Sequence, residues 1–440
     1  MSGLETSLLR LATAGSVDDG KSTLVGRLLH DSKNVLADQL DALERLSRER
    51  GLTSTDLALL TDGLRAEREQ GITIDVAYRY FSTGLRSFIL ADCPGHVQYT
   101  RNTVTGASTA DVLVVLVDIR SGVQDQTRRH LAVGALLRVP HVVVAVNKID
   151  LVDYEGARFA EVADEVSRTC TALGITSVHT IPVSALVGDN VVERSERTPY
   201  YDGPSLLDLL GELPGGEQTT HEAFRLPVQY VLRPQQAARD PKYVEYRGLA
   251  GRVSAGTVSR GDQVVVLPGG QRTTIAGIDT ATGELESART GQSVSLRLAD
   301  DLDVTRGDLI AAAEGAPEAV RETDAMVCWL AEVPLRKGQR VLFKHGSNTV
   351  QGMVTELHGR LDLGSLTAER VEAFDLNDIG RISLRLGAPV PVEDYGRSRT
   401  GGAFVLIDPQ SGGTLAAGMV RRERRDGSLA VPSLTIEWEI

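Results

Sequence analysis

Residues Gly15 to Ser22 have the types and spacing that bind phosphate groups, because they read GSVDDGKS. In the pattern G-x-x-x-x-G-K-S the backbone N–H groups face the α- and β-phosphates, and Lys21 brings a positive charge to the β/γ oxygens. The Ser22 hydroxyl is placed to hold Mg²⁺. An apolar run precedes the loop and a helical stretch can follow it, which is the setting that the motif requires. We therefore predict a phosphate loop formed by Gly15, Ser16, Val17, Asp18, Asp19, Gly20, Lys21, Ser22 and Thr23.

A second group of polar residues follows the predicted strand Ser87 to Leu90. It consists of Asp92, Cys93, Pro94, Gly95 and His96. An acid at the carboxyl end of a strand can hold a water bound to Mg²⁺, and a glycine nearby can approach a γ-phosphate. We therefore predict that Asp92 contacts the metal through water and that this segment senses the third phosphate.

Two further loops carry groups that distinguish guanine from adenine. Continuous apolar runs are typical of strands buried on both faces of a parallel sheet, and the run Val142 to Val146 ends in Asn147, Lys148, Ile149 and Asp150. The Asp150 carboxylate can accept the N1–H and the N2 amino hydrogens of guanine, which adenine cannot offer. After the run Val178 to Val183, a backbone amide of Ser184, Ala185 or Leu186 can reach the guanine O6. Together these elements predict a GTP-binding protein.

The constellation resembles the translational GTPase superfamily, whose archetype is elongation factor Tu. Residues 62–73 read DGLRAEREQGIT, which is similar to the first switch segment of that superfamily, and residues 92–96 are similar to its second. The resemblance implies catalytic roles for His96, Lys21, Thr73 and Asp18. It makes Ser22 and Thr73 the ligands of Mg²⁺, with Asp92 bound through water, and gives His96 the placement of the hydrolytic water. Val17 and Ile72 would form an apolar gate beside His96, whose alternative role is to start a helix and stack on its neighbours.

Within the superfamily, several stretches resemble the family of large GTPase subunits of bacterial ATP sulfurylase. They are Asp18-Asp19 in the phosphate loop and the segments 74–81, 122–130, 200–204, 399–408 and 416–420. The resemblance covers the chain from about Leu8 to Val420. It implies a hetero-oligomer with a small subunit of the ATP pyrophosphatase type, which transfers the AMP moiety of ATP to sulfate. The products are adenosine 5′-phosphosulfate and diphosphate, and GTP hydrolysis drives their formation.

Two other functions remain open at this point. An elongation factor-like GTPase would deliver aminoacyl-tRNA, and a stand-alone regulatory GTPase would support no nucleotidyl transfer with any partner. The chain has 47 Lys and Arg against 59 Asp and Glu, and its formal net charge is −12. A protein that binds nucleic-acid backbones usually has a basic face, so this balance favours a protein partner and no nucleic acid.

Composition and length bound the remaining properties. At 440 residues the chain is expected to form two to three domains. Its three cysteines, Cys93, Cys170 and Cys328, are widely spaced, so we expect free buried thiols in a reducing compartment. The sequence has no apolar leader and no apolar run long enough to span a bilayer, so we expect a cytoplasmic protein that does not enter the membrane.

The alternation of strands and helices in the first half predicts the fold class. Residues 1–217 should form an α/β P-loop GTPase domain with a doubly wound, mostly parallel sheet. Short strands and glycine turns predict two antiparallel β-barrel domains, at 225–312 and 322–440. Ala311 to Thr323 is expected to be a connector between the barrels, and Gln39 to Arg50 is expected to be a helix.

Overall fold

The structure is a computed structural model that describes residues 7–32, 57, 75–215, 222–237 and 240–422. The chain divides into two compact units, built mainly from Met1–Glu217 and from Gln218–Leu361 with Glu369–Val431. The predicted helix at Gln39 to Arg50 and the segment 62–73 lie outside the described residues. In the part of the chain that is described, no helix is long and apolar enough to cross a membrane.

The first unit is built on a six-stranded sheet with the order β2-β3-β1-β4-β5-β6. β2 is antiparallel to β3, and the other neighbours are parallel. The strands are β1 Ser7–Gly15, β2 Ala77–Ser82, β3 Arg86–Asp92, β4 Val112–Asp118, β5 His141–Asn147 and β6 Val178–Pro182. The helices are α1 Lys21–Asp31, α2 Thr100–Ala107, α3 Asp125–Leu136, α4 Gly156–Ala172 and α5 Leu206–Glu212.

The central strands of this sheet are apolar because both of their faces are covered. All seven residues of β4 are buried, and only the first residue of β5 is partly exposed. One hydrophobic core includes Leu9 and Leu11 of β1, Leu24 and Leu28 of α1 and Leu206 of α5. Since a parallel sheet needs helices on its faces, this burial explains the continuous apolar runs in the sequence. The predicted strands of this unit are confirmed.

The second unit contains two larger antiparallel sheets. The first has the order β7-β16-β11-β12-β15-β9-β8, with β13 paired to β12, and the second has the order β19-β24-β25-β17-β23-β20-β21. An additional pairing of β19 with β20 closes six strands of the second sheet into a barrel. The predicted fold class, an α/β GTPase domain followed by antiparallel β-domains, is confirmed.

The elements of the second unit have the following bounds. The first group is β7 Arg225–Pro227, β8 Tyr230–Leu232, β9 Gly248–Arg252, β10 Thr257–Ser259, β11 Gln263–Leu267, β12 Gln271–Thr280, β13 Gly283–Leu285, β14 Ser287–Arg289, β15 Ser293–Leu298 and β16 Leu309–Ala312. The second group is β17 Ala319–Trp329, β18 Leu335–Arg336, β19 Arg340–His345, β20 Asn348–Asp362, β21 Thr367–Glu369, β22 Ala373–Phe374, β23 Ile379–Pro391, helix α6 Arg399–Gly402, β24 Ala403–Ile407 and β25 Thr414–Arg421.

The expected connector from Ala311 to Thr323 is wrong over most of its length. β16 runs to Ala312, and β17 already begins at Ala319. The Ala- and Glu-rich sequence is not strand-like by itself, but β17 pairs with both β23 and β25, and these long-range ladders override the local preference. The division into domains 1–217, 225–312 and 322–440 stays a prediction. The three cysteines are free and buried, as expected.

Candidate nucleotide-binding site

The predicted site residues follow the carboxyl ends of β1, β3, β5 and β6, which lie at one edge of the first sheet. In the ladders, Thr13 is the partner of Asp92 and Asp118 is the partner of Asn147. The connection that follows β1 leads to β2 and β3 on one side of the sheet, whereas the connection that follows β4 leads to β5 on the other side. The strand order therefore reverses between β1 and β4. Ligands of open α/β sheets bind in the crevice that forms at such a point.

The backbone conformation of the phosphate loop requires a glycine at position 20. Gly20 has a φ of 93°, and a Cβ built there would lie 2.5 Å from Asn147 Nδ2. Only glycine fits such a left-handed position so close to another side chain. Lys21 then begins α1 and is 8% exposed. Its Nζ donates hydrogen bonds to the backbone oxygens of Gly15 at 2.9 Å and Ser16 at 3.2 Å.

The buried hydrogen-bond donors of this loop suit an anionic ligand. Burial lowers the pKa of Lys21, although Asp92 and Asp19 oppose that shift. Burial also raises the pKa of Asp19, whose Oδ2 accepts a hydrogen bond from the Ser16 N–H at 2.7 Å. The buried Ser16 hydroxyl has no hydrogen-bond partner among the described residues. A buried ammonium whose hydrogen bonds go to carbonyl oxygens, beside an unpaired hydroxyl, matches the donors that a phosphate accepts from.

The segment after β3 lies against the phosphate loop. Asp92 is 1% exposed, and its Oδ1 accepts a hydrogen bond from Thr13 Oγ1 at 2.8 Å. A Cβ built on Gly95 would lie 2.3 Å from Lys21 Nζ, so a side chain there would displace the lysine. Cys93, Pro94 and Gly95 are buried. The hydroxyl of Ser22, on the first turn of α1, and the Asp92 carboxylate are hard oxygen donors that suit Mg²⁺, while Thr73 lies outside the described residues.

His96 is exposed and precedes a short 3₁₀ helix, Val97–Tyr99. Its Nδ1 accepts a hydrogen bond from the Gln98 N–H at 3.3 Å, and its ring meets Tyr99 edge-on at 6.1 Å between centroids. These contacts match the alternative role that the sequence left open. Val17 is 43% exposed, while Ile72 lies outside the described residues. The role of His96 with water and the apolar gate therefore stay predictions.

The predicted guanine-recognition residues form one hydrogen-bonded group. Asn147 Nδ2 donates to the Asp19 carbonyl at 2.7 Å, and Asn147 Oδ1 accepts from the Ala185 N–H at 2.9 Å. Ser184 Oγ donates to Asp150 Oδ1 at 2.6 Å. Because Ala185 N–H is already used, the Leu186 N–H, which bonds to no described residue, is the amide left for a base oxygen. Ile149, between Lys148 and Asp150 in the chain, is buried.

Sequence reasoning missed Asp118, which lies at the end of β4. Arg120 donates to both of its oxygens, from Nε to Oδ1 at 3.0 Å and from Nη2 to Oδ2 at 2.6 Å. Lys148 Nζ lies 3.0 Å from Asp118 Oδ2 and also donates to the Asp18 carbonyl. Burial alone would raise the pKa of Asp118, but Arg120 and Lys148 outweigh it and hold that pKa well below its usual range. A carboxylate at the end of a predicted strand was the available signal.

Two residues of α3, Gln126 and His130, were not assigned a role in the site either. Gln126 Nε2 lies 3.3 Å from the Gly95 carbonyl and 3.1 Å from His130 Nε2. His130 is 1% exposed, and burial, helped by the charges of Lys21 and Arg129, lowers its pKa to about 3. His130 is therefore neutral at physiological pH.

The fold and the site define a P-loop GTPase of the elongation factor Tu type. Residues 6–214 match the family model of the elongation factor Tu GTP binding domain, and residues 322–421 match the GTP-eEF1A C-terminal domain-like family. This class binds GTP, so the GTP expected from the sequence is confirmed, whereas Mg²⁺ stays a prediction.

Curated relatives narrow the class to one family. Sulfate adenylyltransferase subunit 1 of Laribacter hongkongensis is 48% identical over 94% of this chain and 85% of its own length. The same subunit of Chromobacterium violaceum is 47% identical over 97% and 88%. The bifunctional enzyme CysN/CysC of Mycobacterium tuberculosis is 50% identical over 95% of this chain and 68% of its own length. The chain belongs to the sulfate adenylyltransferase subunit 1 family, the GTPase subunits of ATP sulfurylase.

Proposed function

We propose that this chain hydrolyses GTP to drive the formation of adenosine 5′-phosphosulfate and diphosphate from ATP and sulfate on a small partner subunit. The observation that carries the proposal is the pair of hydrogen bonds from Asn147 to the Asp19 carbonyl and from Ala185 to Asn147. They join the phosphate loop to the base-recognition loop, so one nucleotide can contact both. Membership in the sulfate adenylyltransferase subunit 1 family supports the coupled reaction.

The partner's reaction requires an external source of free energy. An oxygen of sulfate attacks the α-phosphorus of ATP, the bond from that phosphorus to the bridging oxygen breaks, and diphosphate leaves. The mixed anhydride is a stronger adenylyl donor than ATP, so the equilibrium favours ATP and sulfate. Hydrolysis of GTP to GDP and phosphate can shift it only if both reactions share a conformational cycle. Switch segments that respond to the γ-phosphate provide such a two-state element.

The residues of this chain have separate tasks in the proposed site. Lys21 and the phosphate-loop amides bind the β- and γ-phosphates, and Asp150 accepts the hydrogens of guanine N1 and N2. Ser22 and Thr73 would hold Mg²⁺, with Asp92 bound through water, and the ion would neutralise charge that develops on the phosphates. His96 would orient the attacking water once the partner is docked, since the contacts seen here leave its ring exposed.

The partner is proposed to be a small subunit of the ATP pyrophosphatase type, in a cytoplasmic hetero-oligomer. The name subunit 1 of the relatives implies a second subunit. The net charge of −12 supports a protein rather than a nucleic-acid partner. The competing proposal, an elongation factor-like GTPase, would bind aminoacyl-tRNA with a strong salt dependence.

The test is reconstitution of the full chain with the small subunit, with labelled sulfate and ATP in the presence and absence of GTP. We expect product beyond the GTP-free equilibrium and faster GTP turnover when ATP and sulfate are present. Lys21→Ala should abolish the excess product, because it removes the buried charge on the phosphates. Lys337→Ala is the matched control, since that lysine is exposed and pairs with Glu356 on a barrel surface. Product that never exceeds the GTP-free level would reject the coupling, and salt-dependent capture of aminoacyl-tRNA would favour the competing function.

A further inference from the structure

The side chain of Arg27 contacts the base-recognition loop from α1. Its Nε donates to the Ala185 carbonyl at 3.2 Å, and its Nη2 donates to the Leu186 carbonyl. Its stem lies over the same loop, because a Cβ built on Gly188 would be 3.7 Å from Arg27 Cδ. A planar guanidinium that bonds two successive carbonyls sets their geometry more tightly than a point charge would.

The bond to the Ala185 carbonyl also determines the direction of the next amide. In a trans peptide the C=O and the following N–H point in opposite directions, because the group is planar. Arg27 therefore turns the Leu186 N–H away from itself. Ala185 N–H is held by Asn147, whereas Leu186 N–H bonds to no described residue. The second bond, to the Leu186 carbonyl, restrains the peptide on the other side of the same residue.

We infer that Arg27 is a positioning residue for guanine specificity, which aims the Leu186 N–H at the oxygen on carbon 6 of the base. The inference rests on the proposed guanine site and adds a determinant to it. Asp150 reads positions 1 and 2 of the ring, whereas the Leu186 amide reads position 6. A fixed N–H donor accepts a carbonyl oxygen and opposes the amino group that adenine carries there.

Among the described residues, the other hydrogen bonds of this loop do not orient the Ala185 carbonyl. Ser184 is held by its bonds to Asp150 and to the Asp189 carbonyl, and the Gly188 N–H donates to the Ser184 carbonyl at 2.7 Å. These bonds close the loop but do not touch the Ala185 carbonyl. Asp31 Oδ1 lies 3.6 Å from Arg27 Nη1 and is partly exposed, so it pairs with the guanidinium. A carboxylate has no hydrogen to donate, so it cannot orient the loop carbonyls.

The test compares the affinities of the full-length chain for GDP, 6-thio-GDP and xanthosine diphosphate by titration calorimetry. Sulfur at position 6 is a weak acceptor, so the ratio of GDP to 6-thio-GDP affinity reports the Leu186 amide. The ratio of GDP to xanthosine diphosphate affinity reports Asp150. Arg27→Met keeps the apolar stem and removes both donors. We expect GDP affinity to fall about tenfold and the first ratio to fall by a similar factor, with the second ratio unchanged.

Two further variants make the outcome decisive. Asp31→Asn removes the ion pair of Arg27 and should leave both ratios at the wild-type values. Arg27→Lys keeps one donor and should give an intermediate first ratio, which covers the case in which Arg27→Met does not fold. A loss of affinity that is equal for all three nucleotides would show a merely structural role and overturn the inference. If the wild type failed to prefer GDP over xanthosine diphosphate, and Asp150→Asn changed nothing, the proposed guanine site itself would be wrong, and the role of Arg27 with it.

Discussion

Replacing Asp118 by asparagine tests the ion-pair group at the end of β4. The change keeps the shape of the side chain and removes its charge. Asp118 is 5% exposed, and the Lys148 ammonium lies 3.0 Å from it. Lys148 belongs to the predicted guanine motif, and its backbone has a φ of 66°, which is unusual for a residue with a side chain. The side-chain bonds to Asp118 and to the Asp18 carbonyl hold it in that conformation.

The magnitude follows from this geometry. Two unit charges 3.0 Å apart attract by about 5–6 kcal/mol at an effective dielectric constant near 20. The burial of Asp118 opposes this attraction, so the net value of such a charged hydrogen bond is about 1.5–3 kcal/mol. We expect the free energy of unfolding of the first unit to fall by about 2 kcal/mol. For a unit of this size that corresponds to a fall in Tm of roughly 4–8 °C. GDP affinity should fall about tenfold, because Lys148 loses its fixed position.

The assay is thermal unfolding together with GDP titration of the full chain. Asp125→Asn is the control, because that carboxylate pairs with Arg128 at the surface and its side chain is 86% exposed. A depressed carboxyl pKa contributes stability above the unfolded pKa near 3.9, and this contribution is lost only as pH falls through the folded pKa. The difference between wild type and variant should therefore be constant from pH 5 to 8. A variant whose Tm and GDP affinity match those of the Asp125→Asn control would refute the reasoning.

Three other substitutions test separate groups. Asp150→Asn should weaken GTP binding by about 1–3 kcal/mol and favour xanthosine triphosphate, and unchanged preference in a binding titration would contradict the guanine motif. His96→Ala should leave GTP affinity nearly unchanged and slow hydrolysis in the active complex by about 10² or more, so wild-type turnover would reject its role with water. His130 has a pKa of about 3 in the folded chain, so the wild type should lose up to about 1.4 kcal/mol per pH unit from this group as pH falls from 6.5. The free energy of unfolding of His130→Gln should not fall with pH in this way. Equal slopes of unfolding free energy against pH for the two proteins would refute the prediction.

The elements that could be predicted from the sequence are those whose signal is local. The phosphate loop has its own spacing, and the run Val142 to Val146 is apolar because both faces of β5 are covered. Asn147 and Asp150 could be predicted as site residues because they belong to the motif that directly follows this strand. Short apolar runs that alternate with glycine turns likewise predict the antiparallel sheets, and β11 and β15 lie in such runs.

The parts that could not be predicted depend on contacts between distant residues. Arg27 lies 158 and 159 positions before its two carbonyl partners, and an arginine on a helix carries no local sign of them. Gln126 is separated from the Gly95 carbonyl by 31 positions. The beginning of β17 at Ala319 is set by its pairing with Pro391 on β23. Each of these follows from tertiary packing, which overrides local preference.

The residues predicted to recognise the base also orient backbone carbonyls of the phosphate loop. Asn147 Nδ2 holds the Asp19 carbonyl, and Lys148 Nζ holds the Asp18 carbonyl. Both oxygens are thereby turned toward the end of β5, and an oxygen that faced a phosphate would repel it. Because the peptide is planar, the bond to the Asp19 carbonyl turns the Gly20 N–H to the opposite side, as binding at a helix N-terminus requires. Gly20 has a left-handed conformation and lies close to Asn147, and both features require a residue without a side chain. A side chain at that position would push the phosphate loop away from Asn147.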